Sequence, residues 1–334
     1  TVSAFSGVGL FDTIKGGDGA DIINGKAGID VLHGEGGNDD FRVTTLTDFI
    51  SLTSAETVDG GTGTDTLTFD VDSATTVAAA DLQGVSNIEI IEFEGTGADA
   101  LTLSDSVFTA NGTTSIRINE VDGSATFTLN AGGVSAANSI TYRHSNAAND
   151  ADATEALTFG GGNDTAQFRN GARFDTADVI NFGGGTDTLN LWAAGTAISA
   201  TLTNVTSVEN ILVTQVSNAT VGLTLADGNF VSTQTGTINA GGLVSALTLD
   251  ASPEDDSGIT ITGGIGGDTI TGTDAKLSGT TILGDTINGG NGADIIDGSL
   301  GADTITGGAG ADVFTYNVVA DSAGDYVDEV TDFL

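Results

Sequence analysis

Residues 289–314 read GGNGADIIDGSLGADTITGGAGADVF. Gly-Gly-x-Gly-x-Asp, or a close variant, returns here every nine residues, and a large apolar residue stands two places after each Asp. The acidic column is Asp294, Asp303 and Asp312; the apolar column is Ile296, Ile305 and Phe314. A fixed period of this kind belongs to a stacked repeat architecture rather than to an ordinary globular core.

Each nonapeptide reads as a turn followed by a short strand. Glycine permits the positive-φ backbone that other residues resist. In the x-U-x triplet, where U is the large apolar residue, U points inward and its neighbours point out. Two nonapeptides make one coil, so units n and n+2 stack about 4.8 Å apart. That places Asp12 over Asp30, Asp21 over Asp39, Asp285 over Asp303, and Asp294 over Asp312. Carboxylates stacked so closely repel one another. A divalent cation between them removes the conflict. Carboxylate oxygens and the carbonyls of glycine turns form the all-oxygen cage that Ca²⁺ takes, whereas Mg²⁺ demands tighter octahedral geometry.

The pattern occupies both ends of the chain. The first block begins with a weak copy at Gly7 (GVGLFDTIK) and continues as GGDGADIIN (16–24), GKAGIDVLH (25–33) and GEGGNDDFR (34–42). The last block holds GGIGGDTIT (263–271), TTILGDTIN (280–288) and the three tandem units of 289–315. Isolated copies lie between: GGTGTDTLT (60–68), GGGNDTAQF (160–168) and GGGTDTLNL (183–191). The candidate metal ligands are Asp12, Asp21, Asp30, Asp39, Asp65, Asp187, Asp268, Asp285, Asp294, Asp303 and Asp312. The turn positions Gly16, Gly17, Asp18, Gly19, Gly34, Gly36, Gly289, Gly290, Asn291, Gly292, Gly307, Gly308 and Gly310 complete the set. For Asp65, Asp164 and Asp187 the sequence shows no stacked partner, and a solvated Asx turn without metal explains them as well. Asp268 is intermediate, because Asp285 follows it out of register.

Composition agrees with turns and a buried core. The 334 residues carry 8 Lys+Arg against 46 Asp+Glu, a formal charge of −38. Of those acids 36 are Asp and 10 are Glu, which with 50 Gly points to tight turns rather than a generic acidic surface. Hydrophobic content of 39% is too high for a disordered acidic tail. Such a charge argues against nucleic acid and anionic lipid partners. Cysteine is absent, which removes disulfides and thiolate metal sites. No apolar run approaches the roughly 18 residues of a membrane span. The missing methionine and the opening TVSAFSG lead us to expect an excised or processed chain.

With these motifs in hand, the chain resembles the RTX (repeats-in-toxin) family of secreted bacterial proteins. The resemblance implies an all-β fold, a right-handed parallel β-roll or β-solenoid with several Ca²⁺ ions between GGxGxD loops. It also implies type I secretion and folding triggered by extracellular calcium.

The middle is duplicated. GGTGTDTLTF (60–69) matches GGGTDTLNLW (183–192), LQGVSNIEIIEF (82–93) matches LTNVTSVENILV (202–213), and LTLSDSVF (101–108) matches LTLADGNF (223–230). With the first pair aligned on Asp65 and Asp187, the offset stays between 120 and 122 residues. Short runs of alternating apolar and Thr/Asn residues between Gly, Asn and Asp clusters read as strands. The expected organisation is an N-terminal repeat block (1–44), a first β-solenoid module (45–133), connecting strands with a degenerate loop (134–181), a second module (182–252) and a C-terminal block (253–334). The LxxVxxxE pattern (Leu82, Val85, Glu89; Leu202, Val205, Glu209) is similar to the body of RTX-type surface-layer proteins.

Catalytic constellations are hard to find. His33 and His144, the two histidines, form no HExxH pattern, and both read as surface residues. No G-x-S-x-G elbow appears. Trp192 and Tyr142 read as packed on the solenoid or singly exposed rather than as sugar platforms. The expectation is a non-enzymatic, secreted, calcium-binding structural protein of the bacterial surface, S-layer-like, with self-association and cell-surface polysaccharide as further partners. A fragment of an RTX adhesin and the repeat region of a secreted protease or lipase are the alternatives. Because the D-x-F step at Asp312–Phe314 leads to an uncapped Asp332-Phe333-Leu334, the natural protein is expected to run on beyond Leu334.

Overall fold

The structure, a computed structural model, describes residues 11–49, 56–121, 126–144, 154–170, 173–231, 235–276, 282–317 and 326–332. The weak copy's start at Gly7 and the terminal Phe333-Leu334 lie outside the described residues. The chain divides into two compact units, residues 1–164 with 183–185, and residues 165–182 with 186–334.

Unit 1 is a coil of short parallel strands. Its long sheet stacks Ile22–Ile23, Asp40–Val43, Thr66–Asp70, Ile90–Glu94, Ser115–Glu120 and Ser139–His144. Thr13–Asp18, Val31–Gly36, Thr57–Asp59 and Val85–Ser86 form a second sheet, and Thr75–Val77, Ala98–Thr102, Thr126–Asn130 and Thr154–Thr158 a third. The one helix of more than four residues among those described is Asp105–Asn111, closed by Gly112 in the left-handed conformation.

Unit 2 repeats the plan. One sheet runs Thr165–Phe168, Thr188–Ala194, Asn210–Ser217, Gly236–Asn239, Ile259–Thr262, Thr286–Asn291, Thr304–Ala309 and Glu329–Val330. A second runs Ile198–Thr201, Val221–Thr224, Leu247–Asp250, Thr269–Thr271, Ile295–Asp297 and Val313–Thr315, and Val179–Asn181 pairs with Val205–Thr206 outside both. Both units are therefore parallel β-solenoids, the architecture the nonapeptide period predicts.

Register shows how sequence period becomes coil length. In the terminal blocks Ile23 pairs with Phe41 and Ile287 with Ile305, one coil per 18 residues. In the middle Leu67 pairs with Ile91 and Leu189 with Ile211, so coils lengthen to 24 and 22 residues. The inward column survives this change. Leu189, Ile211, Ile238, Ile261, Ile287 and Ile305 stand in consecutive register in unit 2, each at most 1% exposed. Ile22, Ile295 and Val313, next to each Asp, point out and are about half exposed.

Unit 1 fills its wider coils with rings. Phe49, Phe69, Phe93, Phe127 and Tyr142 form a spine with centroids 5.2 to 5.4 Å apart. These separations suit edge and offset ring contacts. Tyr142 is therefore a core residue. Phe93 touches rings on both sides, so Phe93→Ala should cost about 3–5 kcal/mol in thermal or denaturant unfolding. Ile22→Ala, on the exposed face of the same unit, should stay within about 0.5 kcal/mol of the parent.

Candidate metal centre

At the start of many inward strands an acid closes the corner. The Asp backbone N–H of one coil donates to Oδ1 of the Asp in the next coil. Asp12 donates to Asp30 at 2.9 Å, Asp21 to Asp39 at 2.9 Å, Asp285 to Asp303 at 2.7 Å and Asp294 to Asp312 at 3.0 Å. These are the four stacks expected from the sequence. The carboxylates thus satisfy buried backbone donors as well as standing ready for a cation, a second duty the repulsion argument alone does not disclose.

The ladders extend beyond the tandem copies, which corrects the reading of the isolated ones. Asp65 has partners on both sides: Asp39 N–H donates to it at 2.8 Å, and its own N–H donates to Glu89 Oε2 at 2.8 Å. Asp187 donates to Glu209 Oε2 at 2.7 Å, and Asp164 accepts from the Ile140 N–H at 2.7 Å. Asp268 stacks on Asp294, at 2.8 Å, rather than on Asp285, which receives the Ile259 N–H and belongs to the other edge. The offset of 26 residues between Asp268 and Asp294 hides this partnership from a search at 18. Asp303 in turn donates to Asp328 Oδ1 at 3.0 Å.

Glu89, Glu209 and Asp328 were missed as site residues. Each begins an acid-x-aliphatic triplet: Glu89-Ile90-Ile91, Glu209-Asn210-Ile211 and Asp328-Glu329-Val330. That triplet without its glycines is the signal that finds them. It also explains LxxVxxxE, whose Leu82, Val85, Leu202 and Val205 are buried while its Glu caps the coil before.

The glycines serve the carboxylates. A Cβ on Gly16 would lie 2.8 Å from Asp21 Oδ2, on Gly289 2.5 Å from Asp294 Oδ2, and on Gly307 2.6 Å from Asp312 Oδ2. Gly34 is closed in the same way by Asp39 and by the Gly60 carbonyl. At the second and fourth positions, Gly17, Gly19, Gly290, Gly292, Gly308 and Gly310 have φ between 97° and 154°. There Gly308 and Gly310 lie directly against the carbonyls of Gly290 and Gly292 one coil earlier. Gly36 pairs with Asp18 between coils. The side chains of Asp18 and Asn291 are exposed at the turn tips.

The donor set fits a hard cation. Oδ2 of Asp30, Asp39, Asp65, Asp294 and Asp303 is buried and takes no hydrogen bond. A buried carboxylate oxygen without a donor is costly unless a cation sits against it. The turn carbonyls nearby each keep a second lone pair after one hydrogen bond. Burial raises the carboxyls of Asp164 and Asp285 to about 6, against hydrogen bonds that pull them down. Burial also raises Asp65, Asp268, Asp294 and Asp303; carboxylates one coil away add to the rise in Asp65, Asp294 and Asp303. The contrast is Arg42, which pairs with Asp40, Asp70 and Glu94 on the outer face and offsets part of their charge with the protein's own.

A profile of the RTX calcium-binding nonapeptide repeat matches residues 7–43 and 281–314, in four copies. The chain carries RTX calcium-binding repeats. The matched stretches contain Asp12, Asp21, Asp30 and Asp39 in one unit and Asp285, Asp294, Asp303 and Asp312 in the other, the ladder members stacked at 18-residue spacing. No curated protein and no solved structure matches the chain. The match makes calcium the ion for repeats of this kind, and the Asp carboxylates and turn carbonyls are the oxygen donors that stand ready for it.

Two consequences can be measured. Without metal, a carboxyl whose folded value is raised favours folding below its ordinary value of 3.8, and that contribution is lost as pH climbs through about 6. In chelator, β-sheet circular dichroism should collapse at pH 7, return in part as pH falls toward about 4.5, and recover at pH 7 with Ca²⁺ but little with Mg²⁺. A chelator-insensitive spectrum at pH 7 would contradict the fit. In calcium, Asp65→Ala and Asp294→Ala should each cost about 1–3 kcal/mol, because each strands a buried N–H as well as removing a ligand. Thermal melts in which Asp65→Ala behaves like the exposed Asp18→Ala would show that the isolated copy is not part of the ladder.

Proposed function

We propose that this is a secreted structural protein of the bacterial cell surface, S-layer-like, that folds on meeting calcium outside the cell and then associates with copies of itself. The observation that carries this reading is the continuation of the acid ladders through Asp65, Glu89, Asp187, Glu209 and Asp268, beyond the recognised repeats. Stacking thus occupies coil corners along both units, and the chain as a whole is strongly acidic, with a net charge of −38. Copies bearing such a charge repel one another until divalent ions screen or bridge them. Calcium therefore governs both folding and the approach of neighbours in this reading. No helix among the described residues is long and apolar enough to cross a membrane. The role is architectural rather than catalytic, with calcium at Asp65, Asp187 and Asp268 as well as in the tandem turns, and with surface polysaccharide as a further partner.

Electron microscopy of the chain after calcium addition tests the assembly. Two-dimensional arrays that disperse in chelator are the expected result. Separate particles at all calcium concentrations would overturn self-association and leave a calcium-binding module of a larger adhesin or enzyme.

A further inference from the structure

The inward column of unit 1 changes character abruptly. Val43, Phe69 and Phe93 occupy it in consecutive register, and the next two members are Glu120 and His144. On the facing sheet, Glu155 stands in register with Phe127. All three polar side chains are at most 1% exposed. This corrects the surface reading of His144, which is the last residue of a core strand rather than part of a polar loop.

Their geometry is that of ligands around a shared centre. His144 Nε2 lies 3.6 Å from Glu120 Oε2 and 3.4 Å from Glu155 Oε1, and one ligand atom from each residue falls within 4.8 Å of the others. A charge-assisted hydrogen bond between imidazole and carboxylate closes to about 2.7–2.9 Å. Four donors about 2.1 Å from a tetrahedral ion are instead separated from one another by roughly 3.4 Å. The Tyr142 hydroxyl, at the end of the aromatic spine, donates to the same Glu155 Oε1 at 3.4 Å.

The donor types also suit a dication. Two carboxylates, a neutral imidazole and one dication sum to zero. Ca²⁺ is a poor occupant, since it takes six to eight oxygens. Imidazole with carboxylate suits Zn²⁺ and its first-row neighbours.

We propose that Glu120, His144 and Glu155 bind one divalent transition-metal ion, Zn²⁺ by preference, inside unit 1 and separately from the calcium turns. The site is enclosed, so the ion enters as the coils close and pins the Ser115–Glu120 and Ser139–His144 strands to the Thr154–Thr158 strand opposite.

The test is refolding. The full chain is stripped with chelator in denaturant, refolded in Ca²⁺ with excess Zn²⁺, freed of loose metal by gel filtration and assayed for both elements. About one Zn²⁺ per chain should be retained. His144→Gln and Glu155→Gln should lower zinc content by about tenfold or more, with calcium content unchanged. His33→Gln, which removes the other histidine, should keep the zinc. Refolding with Co²⁺ in place of Zn²⁺ should give visible absorption bands that His144→Gln abolishes. Should the His144 or Glu155 variants fail to fold, X-ray absorption of zinc-loaded His33→Gln decides the matter: a histidine nitrogen in the zinc shell supports the site, and an all-oxygen shell overturns it. Folded parent chain without retained zinc, or zinc lost in His33→Gln, would also overturn it.

Discussion

The structure hangs on one hydrogen bond repeated along its corners, from the backbone N–H that opens an inward strand to a carboxylate supplied by the next coil. It sets which residue types the corner tolerates. In these ladders the acceptor is acidic and stands two residues before the inward aliphatic; Asp is the usual choice, and Glu takes the place at Glu89 and Glu209. The first glycine of the repeat is then fixed by volume, because the same carboxylate occupies the place its Cβ would take. One oxygen is spent on the neighbouring coil. The other, buried and unmatched at Asp30, Asp39, Asp65, Asp294 and Asp303, is left for a cation. Architecture takes one atom of the side chain and leaves the other available to a metal.

Much of this was legible in the sequence because the period is strict where it matters. The 18-residue coil, the four tandem stacks and the inward Ile23, Leu32, Phe41, Ile296 and Ile305 all derive from the nonapeptide. What escaped did so for a physical reason. Coils of 22 to 26 residues carry the same corner with different loop lengths, so partners such as Asp39 with Asp65, or Asp268 with Asp294, fall outside any fixed spacing. Parallel stacking constrains the strand start and leaves the loop free, and a period search reads the two together.

His144 escaped differently. Its neighbours in the sequence, Asn146, Asn149 and Asp150, are loop formers, and local composition outweighed the alternation of Ile140, Tyr142 and His144 along one face. Alternation was the better guide, since a parallel strand holds its inward set whatever residues come after it. The same lesson applies to Tyr142, whose place in register beneath Ile118 assigns it to the core.

The direction of the corner bond has a kinetic consequence. The donor belongs to the earlier coil and the acceptor to the later one, so no coil is finished until its successor arrives. Closure joins residues only 18 to 26 positions apart, a short loop whose entropy is modest and nearly the same at each step. Each step adds one coil to a neighbour already in place, the way repeat architectures propagate. A growing chain therefore carries an unfinished leading edge at every length, and each added coil repairs the one before while exposing a fresh set of unmet donors.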